Sequence, residues 1–194
     1  EGKKMEGLGE LQGYPGGLQV GGGITAEKGD EFMMAGASHV IVTSYVFRDG
    51  KVDYGRLEKL VQAVGKEHLV LDLSCRKKDG AYYIVTDRWQ KFTDECVTEE
   101  LLDRLQGYAD EFLIHAVDVE GKASGIECGL VELLGNWNKI PVTYAGGIGS
   151  FENLKELSEY GKHHLNYTIG SALDLFGGSM KFEDVLEFGK KFEI

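Results

Sequence analysis

Two glycine-rich turns, one isolated aspartate and a few hydroxyls carry the chemistry legible in this sequence. Gly21-Gly22-Gly23-Ile24 and Ala145-Gly146-Gly147-Ile148 each follow a run rich in β-branched residues and precede an amphipathic one. Glycine there lets backbone amides close on an anion, and the start of the next helix adds a favourable dipole. A tight turn needing positive φ explains a single glycine pair about as well; two pairs in equivalent places favour phosphate. Thr43-Ser44 ends another apolar run and offers hydroxyl and amide donors. Gly22, Gly23, Thr43 and Ser44 therefore form one candidate phosphate cradle. Gly146, Gly147, Gly170 and Ser171 form a second, with Asp174–Gly178 read as a short extra helix beside it. Two cradles suit a small ligand with a phosphate at each end.

Asp72 is the one charged residue in Val70-Leu71-Asp72-Leu73-Ser74. Burial raises a carboxyl pKa and suits the group to general acid–base work. The competing reading is a carboxylate satisfied by nearby backbone or by Arg76. Asp118 shows a weaker version of the pattern, because Glu120-Gly121 continue a polar loop. His115, on an apolar run, reads first as a hydrogen-bonded core histidine. Arg88 and Trp89 lie in the long segment after Asp72, placed either to cover a ligand as a lid or to pack on a rim. Arg76, Trp89, His115 and Asp118 are retained as candidate substrate contacts. His163-His164 have no metal-type partner nearby and read as a surface turn, so no metal site is expected.

Such residues need a frame to bring them together. Short apolar runs begin at 18, 39, 69, 112, 141 and 165: Leu18–Gly21, His39–Thr43, Leu69–Leu73, Phe112–Val119, Pro141–Ala145 and Leu165–Ile169. Between and after them, Ala26–Ala35, Tyr54–Val64, Glu99–Tyr108, Ile126–Leu134, Phe151–Tyr160 and Phe182–Lys191 repeat apolar residues at helical spacing. Strands that read as apolar runs, alternating with helices, form parallel sheets covered by helices. Polar residues cluster at the carboxyl end of nearly every strand. That favours a barrel, whose site draws on many strand ends, over an open sheet with a single crevice. Lys77–Thr93 carries Tyr82-Tyr83-Ile84-Val85 between turn signals and reads as an inserted hairpin.

The 194 residues carry 32 acidic against 21 basic side chains, a net charge of -11. A phosphate-backbone binder needs clustered Lys and Arg, so nucleic acid is not an expected partner. No run of 18 apolar residues spans a membrane, and Glu1–Glu10 is polar without a signal-peptide core. Cys75, Cys96 and Cys128 are odd in number and lack CxxC spacing, which fits a reducing compartment. Cys75 is read as lying inside an apolar strand, as a small buried hydrophobe.

Several runs, in order, resemble the eukaryotic branch of the phosphoribosylformimino-5-aminoimidazole carboxamide ribotide isomerase family of histidine biosynthesis. They are Tyr14-Pro15-Gly16-Gly17-Leu18-Gln19-Val20-Gly21-Gly22-Gly23-Ile24, His39–Ser44, Leu71-Asp72-Leu73-Ser74-Cys75-Arg76-Lys77, Asp118-Val119-Glu120-Gly121, Tyr144-Ala145-Gly146-Gly147 and Gly170-Ser171-Ala172-Leu173-Asp174-Leu175-Phe176-Gly177-Gly178. The resemblance covers residues 11 to 185. It implies a (β/α)₈ TIM barrel, here represented by strands 3–8 only, as six βα units in a single incomplete domain over 1-194. It also implies an aldose–ketose Amadori rearrangement of a bis-phosphorylated substrate without a cofactor, in a monomer. The setting implied is the cytoplasm, or a plastid. Two aspartates work in this family, on the first and fifth barrel strands, and Asp72 matches the fifth-strand one, with a general-acid role. The first two barrel units are absent from the match, and the first-strand aspartate with them. Bacterial members carry a Thr where this chain reads His115-Ala116-Val117-Asp118, so no role is carried over there. A non-catalytic phosphate-binding fragment and the sister imidazole glycerol phosphate cyclase remain as alternatives. Six strands alone would leave an open barrel edge.

Overall fold

Apolar runs that bury one face, each followed by an amphipathic helix, give a strand–helix repeat. The computed structural model describes residue 11 and residues 13–122 and 124–192. Glu1–Glu10, read above as polar and without a signal-peptide core, lies outside the described residues. In chain order the first elements are β1 (Gln19–Gly21), α1 (Ala26–Met34), β2 (His39–Val42), β3 (Phe47–Arg48), β4 (Lys51–Val52), α2 (Tyr54–Val64) and β5 (Leu69–Asp72). There follow β6 (Cys75–Lys78), β7 (Ala81–Thr86), β8 (Lys91–Cys96), α3 (Glu99–Leu105) and β9 (Glu111–His115). The last are α4 (Cys128–Trp137), β10 (Val142–Ala145), α5 (Phe151–Tyr160), β11 (Leu165–Thr168) and α6 (Phe182–Phe192).

Six strands form one sheet in the order β1-β2-β5-β9-β10-β11, and every neighbouring pair is parallel. The spatial order follows the chain order, so each crossover advances the sheet by one place. One hydrogen bond shows how strongly the sheet curls. Gln19 Nε2 on β1 donates to Glu111 Oε2 on β9 at 3.0 Å, although β2 and β5 lie between those strands. Three strand spacings of a flat sheet would separate them by roughly 14 Å. Thr143 on β10 also donates to Glu111, so polar side chains tie the concave face near the amino ends of the strands. β1 and β11 are the edges, and among the described residues neither pairs on its outer side.

The convex face is apolar. Val40, Val42, Leu69, Leu71, Phe112, Ile114, Val142 and Tyr144 are each at most 1% exposed, and pack with Leu57, Leu60, Leu101, Leu102, Leu130, Val131, Leu134, Leu154 and Leu157 of the helices. Four helices start on a side-chain cap: Thr25, Asp53, Thr98 and Ser150 accept from the amides of Lys28, Arg56, Leu101 and Asn153. Such a cap is worth about 1 kcal/mol against Ala. It also fixes where the preceding loop must end, which places the loop residues of the site.

Several boundaries differ from the sequence reading. The apolar run Phe112–Val119 ends as a strand at His115, and Val117–Val119 is a turn of 3₁₀ helix. Glu99–Tyr108 stops at Leu105, and Ile126–Leu134 is shifted to Cys128–Trp137, closing at Asn138 with φ 31°. The inserted hairpin is a three-stranded antiparallel sheet, β6-β7-β8, whose first strand begins at Cys75. Cys75 itself is buried, at the start of this sheet and not inside an apolar strand. The short helix expected at Asp174–Gly178 is a 3₁₀ turn, Asp174–Phe176.

Candidate active site

The carboxyl ends of the six parallel strands face one mouth, covered in part by the β7–β8 turn. At the end of β1, Gly22 and Gly23 take φ 106° and 63°, and Lys28 Nζ caps the Gly23 carbonyl at 3.2 Å. Glycine tolerates such angles without steric cost. Thr43 and Ser44 leave β2 directly into a 3₁₀ turn. The structure brings Gly22, Gly23, Thr43 and Ser44 together around a cavity of about 560 Å³, shared with Asp72, Val85, Thr86, Arg88 and Trp89.

Gly146, Gly147, Gly170 and Ser171 also meet, in a much narrower cleft of about 20 Å³ lined in addition by Glu120, Gly121 and Thr168. Here glycine has a packing reason as well as a conformational one. A Cβ on Gly146 would lie 2.6 Å from the Ala116 carbonyl oxygen, and one on Gly147 2.0 Å from that of Gly125.

Asp72 closes β5 and lines the first cavity; among the described residues it is the only carboxylate that does. Burial pushes its pKa up, only partly offset by the Ser74 hydroxyl, the charge of His115 and the Ser74 amide. The Ser74 hydroxyl donates to Asp72 Oδ1 at 2.9 Å. A carboxyl held above its ordinary range keeps a protonated fraction nearer neutral pH, as a general acid requires.

The four residues named as substrate contacts divide. Asp118 is tied down: Arg76 Nε donates to its Oδ1 at 2.9 Å and the Lys77 amide to its Oδ2 at 2.8 Å. Burial works to raise its pKa, but the Arg76 hydrogen bond, the Lys77 amide and the charges of Arg76 and Lys122 hold it below the ordinary value. Arg76 and Asp118 thus clamp β6 to the 3₁₀ turn after β9. That is a structural task which sequence spacing did not reveal, because the partners are 42 residues apart. His115 and Trp89 face the mouth instead. Their rings meet edge to face with centroids 5.0 Å apart, and His115 Nε2 lies 3.1 Å from Glu120 Oε2, without hydrogen-bond alignment. His115 is a half-buried group at a strand end rather than a core histidine. Arg88 lines the Asp72 cavity. His163 and His164 sit in the turn after α5, bonded to Ser158 Oγ and the Gly135 carbonyl. Burial raises the pKa of all three cysteine thiols, which favours their protonated form.

Ser74, Lys28 and Glu120 were missed as site residues. Only Ser74 left a trace in the sequence, as a hydroxyl two residues beyond an aspartate at a strand end. A further groove, of about 620 Å³, lies elsewhere, between β11 and α6. Tyr167, Leu173, Phe182, Val185 and Leu186 make it apolar, and it follows the unpaired sheet edge.

A curled parallel α/β sheet with helices on its convex face and glycine loops at its strand ends is the architecture of the TIM-barrel class. Residues 12–180 match the family model described as histidine biosynthesis protein, and the chain belongs to that family. It is 54% identical over 183 residues to a chloroplastic 1-(5-phosphoribosyl)-5-((5-phosphoribosylamino)methylideneamino)imidazole-4-carboxamide isomerase of Medicago truncatula, covering 94% of this chain and 59% of the relative. Isomerases with the same chemical name from Yarrowia lipolytica and Neurospora crassa are 45% and 43% identical, over 93% and 98% of this chain and 72% and 76% of theirs. The chain thus spans less than two thirds of the plant relative and about three quarters of the fungal ones.

Proposed function

We propose that the protein acts as the aldose–ketose isomerase of histidine biosynthesis, on the bis-phosphorylated phosphoribosylamino imidazole carboxamide for which its relatives are named. The observation that carries this is the placement of Asp72: an acid with a raised pKa at one strand end, with a glycine-lined loop on either side of it. Each loop takes one phosphate of the ligand. Gly22, Gly23, Thr43 and Ser44 hold one through amides and hydroxyls, helped by the charges of Lys28 and Arg88. Gly146, Gly147, Gly170 and Ser171 hold the other. Backbone amides suffice for this in a chain of net charge -11.

Asp72 gives its proton to the ribose ring oxygen. The C1–O bond breaks and leaves a protonated Schiff base. Removal of the C2 proton by a base then forms the enolamine, which tautomerises to the ketose. No oxidant or reductant enters, because C1 is reduced as C2 is oxidised. The reading places the protein in a single incomplete barrel domain, acting as a monomer in a reducing compartment, cytoplasm or plastid.

Turnover of the purified aminal by the full-length protein tests this, beside Asp72→Asn. Turnover should fall at least about 10²-fold, while affinity for the bis-phosphorylated product changes only a few-fold. Turnover that survives Asp72→Asn while affinity collapses makes Asp72 a binding residue, whereas a wild type that binds the product without any turnover makes the protein a phosphate-binding scaffold.

A further inference from the structure

Ser74 is 1% exposed and lies just after the end of β5. A hydroxyl buried that deeply must satisfy its hydrogen-bonding capacity inside the protein. It does so twice, and both partners belong to the mouth. Its O–H donates to Asp72 Oδ1 at 2.9 Å, and its oxygen accepts from Trp89 Nε1 at 3.2 Å. A hydroxyl that accepts one hydrogen bond donates the next more strongly.

Trp89 comes from a different element, the turn between β7 and β8. There Asp87, Arg88 and Trp89 take φ 52°, 57° and 68° in succession. Left-handed backbone is disfavoured for residues with a Cβ, and three in a row are held only when something fixes the turn. The Gln90 amide closes the turn on the Thr86 carbonyl at 3.1 Å, and the indole contacts at Ser74 and His115 anchor it to the mouth. Trp89 is nonetheless 38% exposed, so its seat is reached from solvent and from ligand.

We propose that Ser74 is a positioning residue that relays the seating of Trp89 to the Asp72 carboxyl group. With the indole seated, Ser74 is polarised toward Asp72, fixing the carboxyl's orientation and favouring its charged form. With the indole withdrawn, that support weakens and Asp72 binds its proton more tightly. The relay rests on the reading of Asp72 as the acid. Its direction agrees with the Ser74 hydroxyl opposing the effect of burial on Asp72. Other groups around Asp72 are His115 on β9 with its Glu120 neighbour, Cys75 on β6 and the Arg76–Asp118 pair. Arg88 lies on the β7–β8 turn, and Thr43 and Ser44 beyond β2 add no titratable group.

The test follows the Asp72 side-chain carboxyl by ¹³C NMR across pH in the full-length protein, with His115 observed in the same spectra. Alongside it runs the pH profile of kcat/KM. Ser74→Ala should raise the Asp72 midpoint, move the alkaline limb of the profile up with it, and lower kcat about tenfold, the loss of one charge-assisted hydrogen bond. Trp89→Phe keeps a ring but removes the N–H, and should give a smaller shift of the same sign. In the double variant the midpoint should equal that of Ser74→Ala alone, because Trp89 acts through Ser74. Ser74→Thr, which keeps the hydroxyl, should restore the wild-type midpoint. An unmoved midpoint in Trp89→Phe, or a Trp89 effect that persists without Ser74, overturns the relay. A wild-type protein without isomerase turnover whose midpoints still move as described removes the isomerase reading and leaves the relay standing.

Discussion

Gly22 and Gly146 both follow a parallel strand at positive φ, 106° and 119°. A methyl group on the first would meet nothing within 4 Å, whereas on the second it would run into the Ala116 carbonyl oxygen at 2.6 Å. The two loops look alike in sequence and use glycine differently. In the first, glycine shapes a turn that stays open to a cavity of about 560 Å³. In the second, glycine lets the β10 loop close against the segment after β9, leaving a cleft of about 20 Å³. The first loop is therefore sensitive through ligand binding, and the second through the fold before any ligand arrives.

That contrast sets a series of expected effects. The largest is at Asp72, beside the open loop: Asp72→Asn should cost about 10²–10⁴ in kcat. In the wild type, kcat/KM should fall on the alkaline side as pH rises through the raised Asp72 pKa, and that limb should vanish in the variant. Next is Gly147→Ala, whose methyl would lie 2.0 Å from the Gly125 carbonyl oxygen. Overpacking of this kind costs about 1–3 kcal/mol, at about 2–4 °C of Tm per kcal/mol in a chain of this size. Calorimetry should record the drop without ligand. Gly22→Ala should show the reverse balance, a smaller Tm change and a product affinity weakened about tenfold by calorimetric titration. If Gly22→Ala costs as much Tm as Gly147→Ala, the distinction between the loops fails.

The smallest expected effect concerns stability at Asp72. Its pKa is higher in the fold than in the unfolded chain, so the fold favours the neutral form. The cost of the charged form is absent below the ordinary carboxylate range and grows as pH rises toward the folded pKa. Asp72→Asn should therefore raise Tm slightly at pH 8. The gain should disappear in acid, as thermal melts across pH would show. A gain that persists unchanged at low pH would mean that desolvation of the charge is not its source.

The alternation of apolar runs and amphipathic helices was legible because a buried strand face and a buried helix stripe write themselves into local composition. Tyr54–Val64 and Phe151–Tyr160 have the bounds their periodicity predicts, since Asp53 and Ser150 cap them locally. The run Phe112–Val119 reads too long because Val117 and Val119 are apolar, yet the strand ends at His115, Ala116 bridges to Cys75 of the inserted sheet, and Val117–Val119 form a 3₁₀ turn. At the site, the glycine loops and Asp72 could be named from one-dimensional pattern. The roles of Arg76 and Asp118 could not: their ion pair spans 42 residues and depends on how the inserted sheet packs.

The sequence by itself determined the class of fold, the glycine loops at the strand ends, and the one aspartate isolated among apolar residues. These follow from periodicity, glycine conformation and an isolated charge, which are properties of neighbours along the chain. Tertiary structure alone decided that one glycine loop is open and the other closed. It also decided that Asp118 is clamped while His115 is not, and that Ser74 stands between Asp72 and Trp89. Those facts depend on side chains from separate elements meeting across a few ångströms, a distance that no spacing in sequence encodes.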